Sequence, residues 1–244
     1  MKNVATIAIL ALAVVIGGGS LLLFGWFLFG GALPVAAIAR SETERLAWDF
    51  ALSMIFFVQH SGMVRRSVRS RLSALIPQWC YPAAYAIASG AALALVVLLW
   101  QPSQVGWYEL QGFARWAARL LSLLAVAGLA WGAASLGGFD MFGIAAIRWH
   151  RRGRSPRPSE FVVSGPYRYV RHPLYFLVLV LIWSAAPQLS PDRLLFNLVW
   201  TAWLVAGTVF EERDLVAQFG AAYTEYQRRV PMLLPWRLRP ARLP

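Results

Sequence analysis

Apolar residues run along this chain in blocks of roughly twenty, separated by short polar stretches. Six blocks stand out, at about 6–30, 47–63, 80–101, 116–136, 174–190 and 193–210. About 20 consecutive apolar residues carry an α-helix through a hydrocarbon core. The pattern therefore predicts an all-α, polytopic integral membrane bundle of about six transmembrane helices, with a four- or five-span fold as the alternative if one segment lies in the interface. The second block turns polar at Gln59 and His60, and the fifth is short and meets Pro187 and Pro191. Gly17, Gly18 and Gly19 interrupt the first block, which permits either a close helix contact or a bend. The apolar stretch from Val4 to Ala39 is far longer than a signal-peptide core, so Lys2 and the apolar run after it predict a retained anchor helix.

Two polar regions remain. The connector over 137–173 is rich in arginine and punctuated by Pro156, Pro158 and Pro166, and a tail runs from Glu211 to Pro244. The short link near Pro187 to Asp192 predicts that the fifth and sixth helices form an antiparallel hairpin. Such a hairpin brings His172 and its arginines level with Glu211 and Glu212.

Composition agrees with a membrane class. Charged residues make up 14% and apolar residues 59% of the 244, against roughly 25% charged in soluble domains. The net charge of +12 is carried by arginine, with Lys2 the only lysine. Because these residues fall between apolar blocks, they suit anionic lipid headgroups rather than nucleic acid. With six spans, eighteen of the 23 basic residues fall on one side, which predicts that both termini are cytoplasmic. Cys80 is the only cysteine, which excludes an internal disulfide and a cysteine-based zinc cluster. Three scattered histidines give no metal site, and no HExxH, GxSxG or phosphate-loop motif is present.

The stretch Gly165-Pro166-Tyr167-Arg168-Tyr169-Val170-Arg171-His172-Pro173-Leu174-Tyr175 stands where the fifth helix enters lipid. Proline suits the first helical position, so Pro173 starts the helix and His172 sits at its cap. The free N–H groups there, with Arg168 and Arg171, suit a carboxylate or phosphate of a ligand. They equally suit a plain interfacial anchor. Glu211 and Glu212 point about 100° apart on their helix, so one can turn inward while the other meets solvent. A salt-bridge network with the arginines is the simpler reading of the pair. His60 is an intramembrane histidine, which marks either a functional group or a helix-packing hydrogen bond. Asp140, in Gly137-Gly138-Phe139-Asp140-Met141-Phe142-Gly143, closes a turn or points into a pocket. His150 reads as solvated.

Together, "GPYRYVRHPLY", the apolar hairpin and "EERDLVAQFGAAYTEYQRRVPMLLP" resemble the integral membrane methyltransferases related to isoprenylcysteine carboxyl methyltransferase, over about residues 160–235. The resemblance implies that S-adenosyl-L-methionine binds between the hairpin and the C-terminal segment. It assigns cofactor binding to Gly165, Tyr167, Arg168, Arg171, His172, Pro173, Tyr175, Glu211, Glu212, Tyr223 and Tyr226. Across nearly the whole chain, "FFVQHSGMVRR" and "GGFDMFG" look like the bacterial membrane-bound methanethiol S-methyltransferases, which turn methanethiol into dimethyl sulfide. That resemblance implies a bacterial inner membrane, with the cofactor site cytoplasmic. It also implies an acceptor side in residues 1–136 and a cofactor-binding core in 137–244, made of the connector, the hairpin and a C-terminal cap.

Methyl transfer from a sulfonium to a thiolate destroys charge, so a dry pocket favours it, and no metal is required. The thiol must lose its proton. His60 or His172 can take it, or Arg171 can stabilise the thiolate. Aromatic rings such as Tyr175 and Trp183 suit adenine or the sulfonium. The full "GPYRYVRHP" is closer to the carboxyl methyltransferases, which keeps a carboxylate or lipid-like acceptor open. Membrane sterol reductases bind NADPH with a related C-terminal pattern, but they carry asparagine where this chain has Leu174. A non-enzymatic membrane protein would use the same clusters only as salt bridges and topology signals.

Overall fold

A computed structural model gives the fold for residues 2–137, 140–154, 161–186, 188–236 and 240. Gly138, Phe139, Pro156, Pro158 and Pro187, on which parts of the sequence reading rest, lie outside the described residues. All six apolar blocks are helical over most of their length, and among the described residues the fold is all-α apart from two two-residue strands. Among the described residues, four stretches are long and apolar enough to cross a bilayer: Val4–Gly30, Tyr81–Leu99, Gly112–Ser135 and Pro191–Phe219. The chain falls into two compact units.

The first unit comprises Met1–Tyr108, Asp140–Arg157 and Gln188–Val199. It opens with α1 (Lys2–Leu12), a π-helical turn (Ala13–Gly18) and α2 (Gly19–Gly30), which run on as one apolar helix. The π turn coincides with the glycine run, and Ser20 Oγ bonds back to the Gly17 carbonyl at 2.8 Å. Of the two roles open to these glycines, Gly17 takes the close contact. A Cβ on Gly90 of α5 (Tyr81–Leu99) would lie 2.8 Å from the Gly17 Cα. The two helices therefore meet backbone to backbone, as small residues allow.

Between them in sequence come α3 (Glu42–Val64) and α4 (Arg66–Leu72). α3 starts in a capping box: the Glu44 N–H donates to Ser41 Oγ at 3.3 Å, and the Ser41 N–H donates to Glu44 Oε2 at 3.2 Å. This satisfies two donors that a helix start would otherwise leave open.

Asp49 on α3 is fully buried, and its Oδ1 accepts from the Gln101 N–H at 2.8 Å. The Gln101 side chain accepts from Ile38 N–H at 2.9 Å and donates to Ala36 O at 2.9 Å, so one amide ties the segment after α2 to the end of α5. Arg193 closes the C-terminus of α2 by donating to the Leu28 carbonyl at 2.7 Å, with its guanidinium over the rings of Phe27 and Phe196.

Helix α7 (Ile144–Arg151) lies within the predicted connector. Asp140 accepts from the N–H groups of Ile144, Ala145 and Ala146 at 2.7, 2.8 and 3.1 Å, so it closes the turn and caps the helix. Gly143 has φ +74, and a Cβ there would lie 2.6 Å from Ala83 N, which explains the last glycine of "GGFDMFG". His150 is exposed, but it is not merely solvated: its ring stacks on Trp79 at 4.4 Å and 4°. Two flat rings side by side cover each other's apolar faces while their edges stay wet.

The second unit comprises Glu109–Phe139, Pro158–Pro187 and Trp200–Pro244. It contains α6 (Gly112–Ser135), a 3-10 turn (Gly165–Arg168), α8 (Pro173–Ala185), the later part of α9 (Pro191–Phe219) and α10 (Ala221–Arg229). α6 packs on α8 through small residues. Gly128 and Gly132 leave room for Leu177 and Leu174, where an added Cβ would come within 2.9 and 2.7 Å of those side chains. Ser122 Oγ and Ser184 Oγ share a hydrogen bond of 2.8 Å in the same interface.

α8 and α9 form the predicted hairpin, with Trp183 Nε1 donating to Thr201 Oγ1 at 3.0 Å. Both boundaries differ from the sequence expectation. α8 stops at Ala185 rather than near 190, because Ala186 precedes proline and is extended. α9 continues beyond 210 to Phe219 and ends at Gly220, whose φ is +57. Charged residues end an apolar block but not a helix.

Candidate functional site

The helix start at Pro173 forms as expected. His172 occupies the cap with φ −120 and ψ 64, which is not helical, and Pro173 has no N–H to lose. The Phe176 N–H donates to His172 O at 3.1 Å; the amides of Leu174 and Tyr175 precede it in the first turn. Upstream, Arg171 and His172 are fixed through their backbones. Their N–H groups donate to the carbonyls of Pro231 and Met232 at 2.9 and 3.1 Å. The chain after α10 therefore runs alongside the entry to α8.

Side chains lock the same junction. Arg171 donates through Nε and Nη2 to Glu212 at 2.9 and 2.8 Å, a bidentate pair. Its Nη1 donates to the carbonyls of Gln227 and Val230 at 2.9 and 2.5 Å. Glu212 also accepts from His172 Nε2 at 2.6 Å, Tyr223 Oη at 2.7 Å and Gln227 Nε2 at 2.6 Å. Five donors thus converge on one carboxylate whose side chain is 9% exposed. A buried charge is tolerable only with such full pairing.

Glu211, one residue earlier, is different. Its side chain is 43% exposed, and its Oε2 faces His172 Nδ1 at 3.6 Å. That oxygen is buried and has no hydrogen-bond partner among the described residues. The pair therefore divides as helical geometry requires: Glu212 turns inward and Glu211 outward. His172 stands between them, and the Tyr175 ring lies parallel to its imidazole at 5.5 Å and 7°.

Tyr223 and Tyr226 are buried in the C-terminal cap with Phe161, Phe219 and Val230 around them. Tyr226 Oη donates to the Tyr167 carbonyl at 2.5 Å. Burial pushes both phenols up from the ordinary tyrosine range, and the Glu212 charge adds to this at Tyr223. Tyr167 is pushed up to about 12, chiefly by burial and then by the charge of Glu211. Gly165 has φ +53 and packs against Ser135 and Trp131, so a side chain there would meet both strain and contact. Arg168 is exposed.

The second unit therefore gathers Tyr167, Arg171, His172, Tyr175, Glu211, Glu212, Tyr223 and Tyr226 into one connected cluster. Trp183 is eight residues beyond Tyr175, about 12 Å along α8, and so does not share a ring ligand with it. His60 belongs to the first unit, where its imidazole is bonded to Tyr85 on α5. Sequence reasoning missed Gln227 and the carbonyls of Val230, Pro231 and Met232. Gln227 could have been found from its place one turn beyond Tyr223. The carbonyls carry no side-chain signal.

Apolar helices and a polar junction at the start of α8, built on the saturated Glu212 carboxylate, define a multi-pass membrane protein with its densest polar chemistry in the C-terminal unit. The NnrU protein family matches residues 50–232, and the chain belongs to that family. It is 34% identical over 197 residues to Methanethiol S-methyltransferase 2 of Bradyrhizobium diazoefficiens, covering 79% of this chain and 74% of the relative. It is 31% identical over 201 residues to the Methanethiol S-methyltransferase of Mycobacterium tuberculosis, covering 82% of each. Nurim of Rattus norvegicus is also similar, at 29% over 193 residues, 72% of this chain and 70% of that one. No solved structure matches. The chain is accordingly a membrane methyltransferase.

Proposed function

We propose that this protein transfers a methyl group from S-adenosylmethionine to a small thiol, with methanethiol giving dimethyl sulfide. The observation that carries the cofactor reading is the division of the glutamate pair. Glu212 is saturated and holds the junction, while Glu211 presents a half-open carboxylate with one oxygen that accepts no hydrogen bond among the described residues and faces His172. A ligand bearing an ammonium and a carboxylate fits this setting. Glu211 meets its cationic group, and the first turn of α8 meets its carboxylate. Tyr175 and Tyr167 provide aromatic faces for the base. Once bound, such a cofactor supplies a methyl group on a sulfonium; binding, alignment and proton removal fall to the chain.

In this reading Arg171 and Glu212 act as positioning residues. Arg171 spends its donors on Glu212 and two carbonyls, and thereby fixes His172 at the mouth of α8. Gly165, Pro173, Tyr223 and Tyr226 shape the same wall, and Arg168 adds positive charge at its rim. The thiol acceptor is supported by the relatives named methanethiol S-methyltransferase. The arginine asymmetry of the sequence supports a cytoplasmic site in a bacterial inner membrane.

Ligand-dependent thermal stabilisation tests the cofactor. A ligand at one hundred times its Kd stabilises the folded state by about 2.7 kcal/mol. S-adenosylhomocysteine should raise the melting temperature and NADPH should not. The reverse would return the chain to a reductase.

A further inference from the structure

The first unit has a strongly basic end. α3 stops at Val64, α4 follows, and α5 begins at Tyr81, so α4 and the segment after it sit where these two helices end and begin. Helix α7 docks at the same end. Its Ile147 is buried against Ala13, Ala83 and Ala86, and a Cβ on Gly143 would lie 2.6 Å from Ala83 N. The His150 ring of α7 stacks on Trp79, and the Arg69 guanidinium of α4 lies over the Tyr81 ring at 5.1 Å. Tyr81 Oη donates in turn to the Met63 carbonyl at 2.7 Å. Trp79 and Tyr81 therefore tie α4 and α7 to the start of one apolar helix.

Both short helices are two-sided. α4 half-buries Val68 and Leu72 and exposes Arg69 and Arg71. α7 buries Ile147 and exposes Arg148 and Arg151, and Arg152 and Arg154 follow, also exposed. Asp140 is the only acidic residue in segments 61–108 and 140–157, and both its oxygens are taken up by the N–H groups that start α7. The surface is thus positive without a competing exposed carboxylate of its own. Apolar side chains stand among the arginines: Leu75 is 81% exposed, Val64 58% and Trp149 36%.

This mixture narrows the partner. Guanidinium groups pair with phosphate oxygens, and tryptophan and leucine beside them suit the boundary between headgroups and acyl chains. A nucleic acid or an acidic protein would satisfy the arginines but give Leu75 and Val64 nothing apolar to meet. The span Tyr81–Leu99 begins directly below this surface, which places it at headgroup depth. We propose that α4 and α7 together form a docking surface for anionic phospholipid headgroups. The arginines hold the phosphates, and Leu75, Val64 and Trp149 reach into the layer beneath them.

The test places the full chain in phosphatidylcholine vesicles with a trace of spin-labelled phosphatidylglycerol or spin-labelled phosphatidylcholine. Electron paramagnetic resonance reads the fraction of each label held at the protein. Wild type is compared with Arg148→Gln/Arg151→Gln, with Arg69→Gln/Arg71→Gln, and with Arg228→Gln/Arg229→Gln, which removes the same charge from α10 in the second unit. Thermal melting checks that each variant is folded. Wild type should prefer phosphatidylglycerol, and the preference should fall at about 1 M salt, where the screening length shrinks to about 3 Å. A basic residue near an anionic surface contributes about fivefold, so the α4 and α7 pairs should each cut the preference about fivefold or more, and the α10 pair less than about twofold. No preference in wild type overturns the proposal. So does an equal loss in all three double variants, because net charge alone then accounts for it. RNA binding that the α4 and α7 variants lose, without any lipid preference, would give the surface to nucleic acid instead.

Discussion

Arg171 and Glu212 stand 41 residues apart in sequence and close on each other as a buried bidentate pair, with side chains 10% and 9% exposed. The contact joins the entry of α8 to the end of α9, and through Gln227 and Val230 it holds α10 and its following turn. Removing one partner of a buried pair leaves the other uncompensated, at about 3–5 kcal/mol. Arg171→Ala and Glu212→Ala should each lower unfolding stability in detergent by that order. The double variant should cost clearly less than the two single losses added together. Simple additivity would mean that the pair does not hold the junction.

Glu211 and Glu212 should separate in their effects. Glu211→Gln removes an outward, half-open charge and should leave the melting temperature within about a degree or two, as surface changes do. Losing a hydrogen bond to a charged group costs enough to weaken S-adenosylhomocysteine affinity about tenfold or more. Glu212→Gln should instead cost stability first. Isothermal titration alongside thermal melts distinguishes the two, and a Glu211 variant with unchanged affinity would remove that carboxylate from the site.

The crossing at Gly17 and Gly90 predicts a steric effect in the first unit. Gly90→Ala places a carbon 2.8 Å from the Gly17 Cα, and overpacking of this kind costs about 1–3 kcal/mol. Gly25→Ala meets nothing within 4 Å and should be neutral or mildly stabilising. Matched denaturation curves of the two variants check the contrast.

Alkaline pH should unfold the C-terminal cap. Burial raises the phenol pKa of Tyr223 and Tyr226, so the folded state keeps protons that the unfolded chain releases near pH 10. Their stabilisation is fully present below about pH 10 and falls as pH rises above it. Melting temperature against pH should bend downward there, and Tyr226→Phe should make the bend shallower. An identical bend in that variant would contradict the assignment.

Much of the architecture was legible in the chain because apolar blocks and a proline-started helix leave strong local signals. The six helical segments, the α8–α9 hairpin and the meeting of His172 with the glutamates all followed from spacing. Helix ends were less legible. The step from apolar to charged at Glu211 marks where burial changes, whereas α9 continues until Gly220 breaks it. The buried Asp49–Gln101 network was not visible, since single polar residues in apolar blocks reveal partners only through tertiary contact. The division of labour between Glu211 and Glu212 was foreseen in kind, because adjacent helical residues diverge. Which one turned inward depended on Tyr223 and Gln227, which sit on a helix that sequence spacing alone does not dock.

The most direct measurement supplies purified protein with S-adenosylmethionine carrying a labelled methyl group, together with methanethiol, and tracks dimethyl sulfide in the headspace. The account predicts labelled dimethyl sulfide that depends on both reactants. Label appearing in a lipid or carboxyl ester, with none in the headspace, would contradict it.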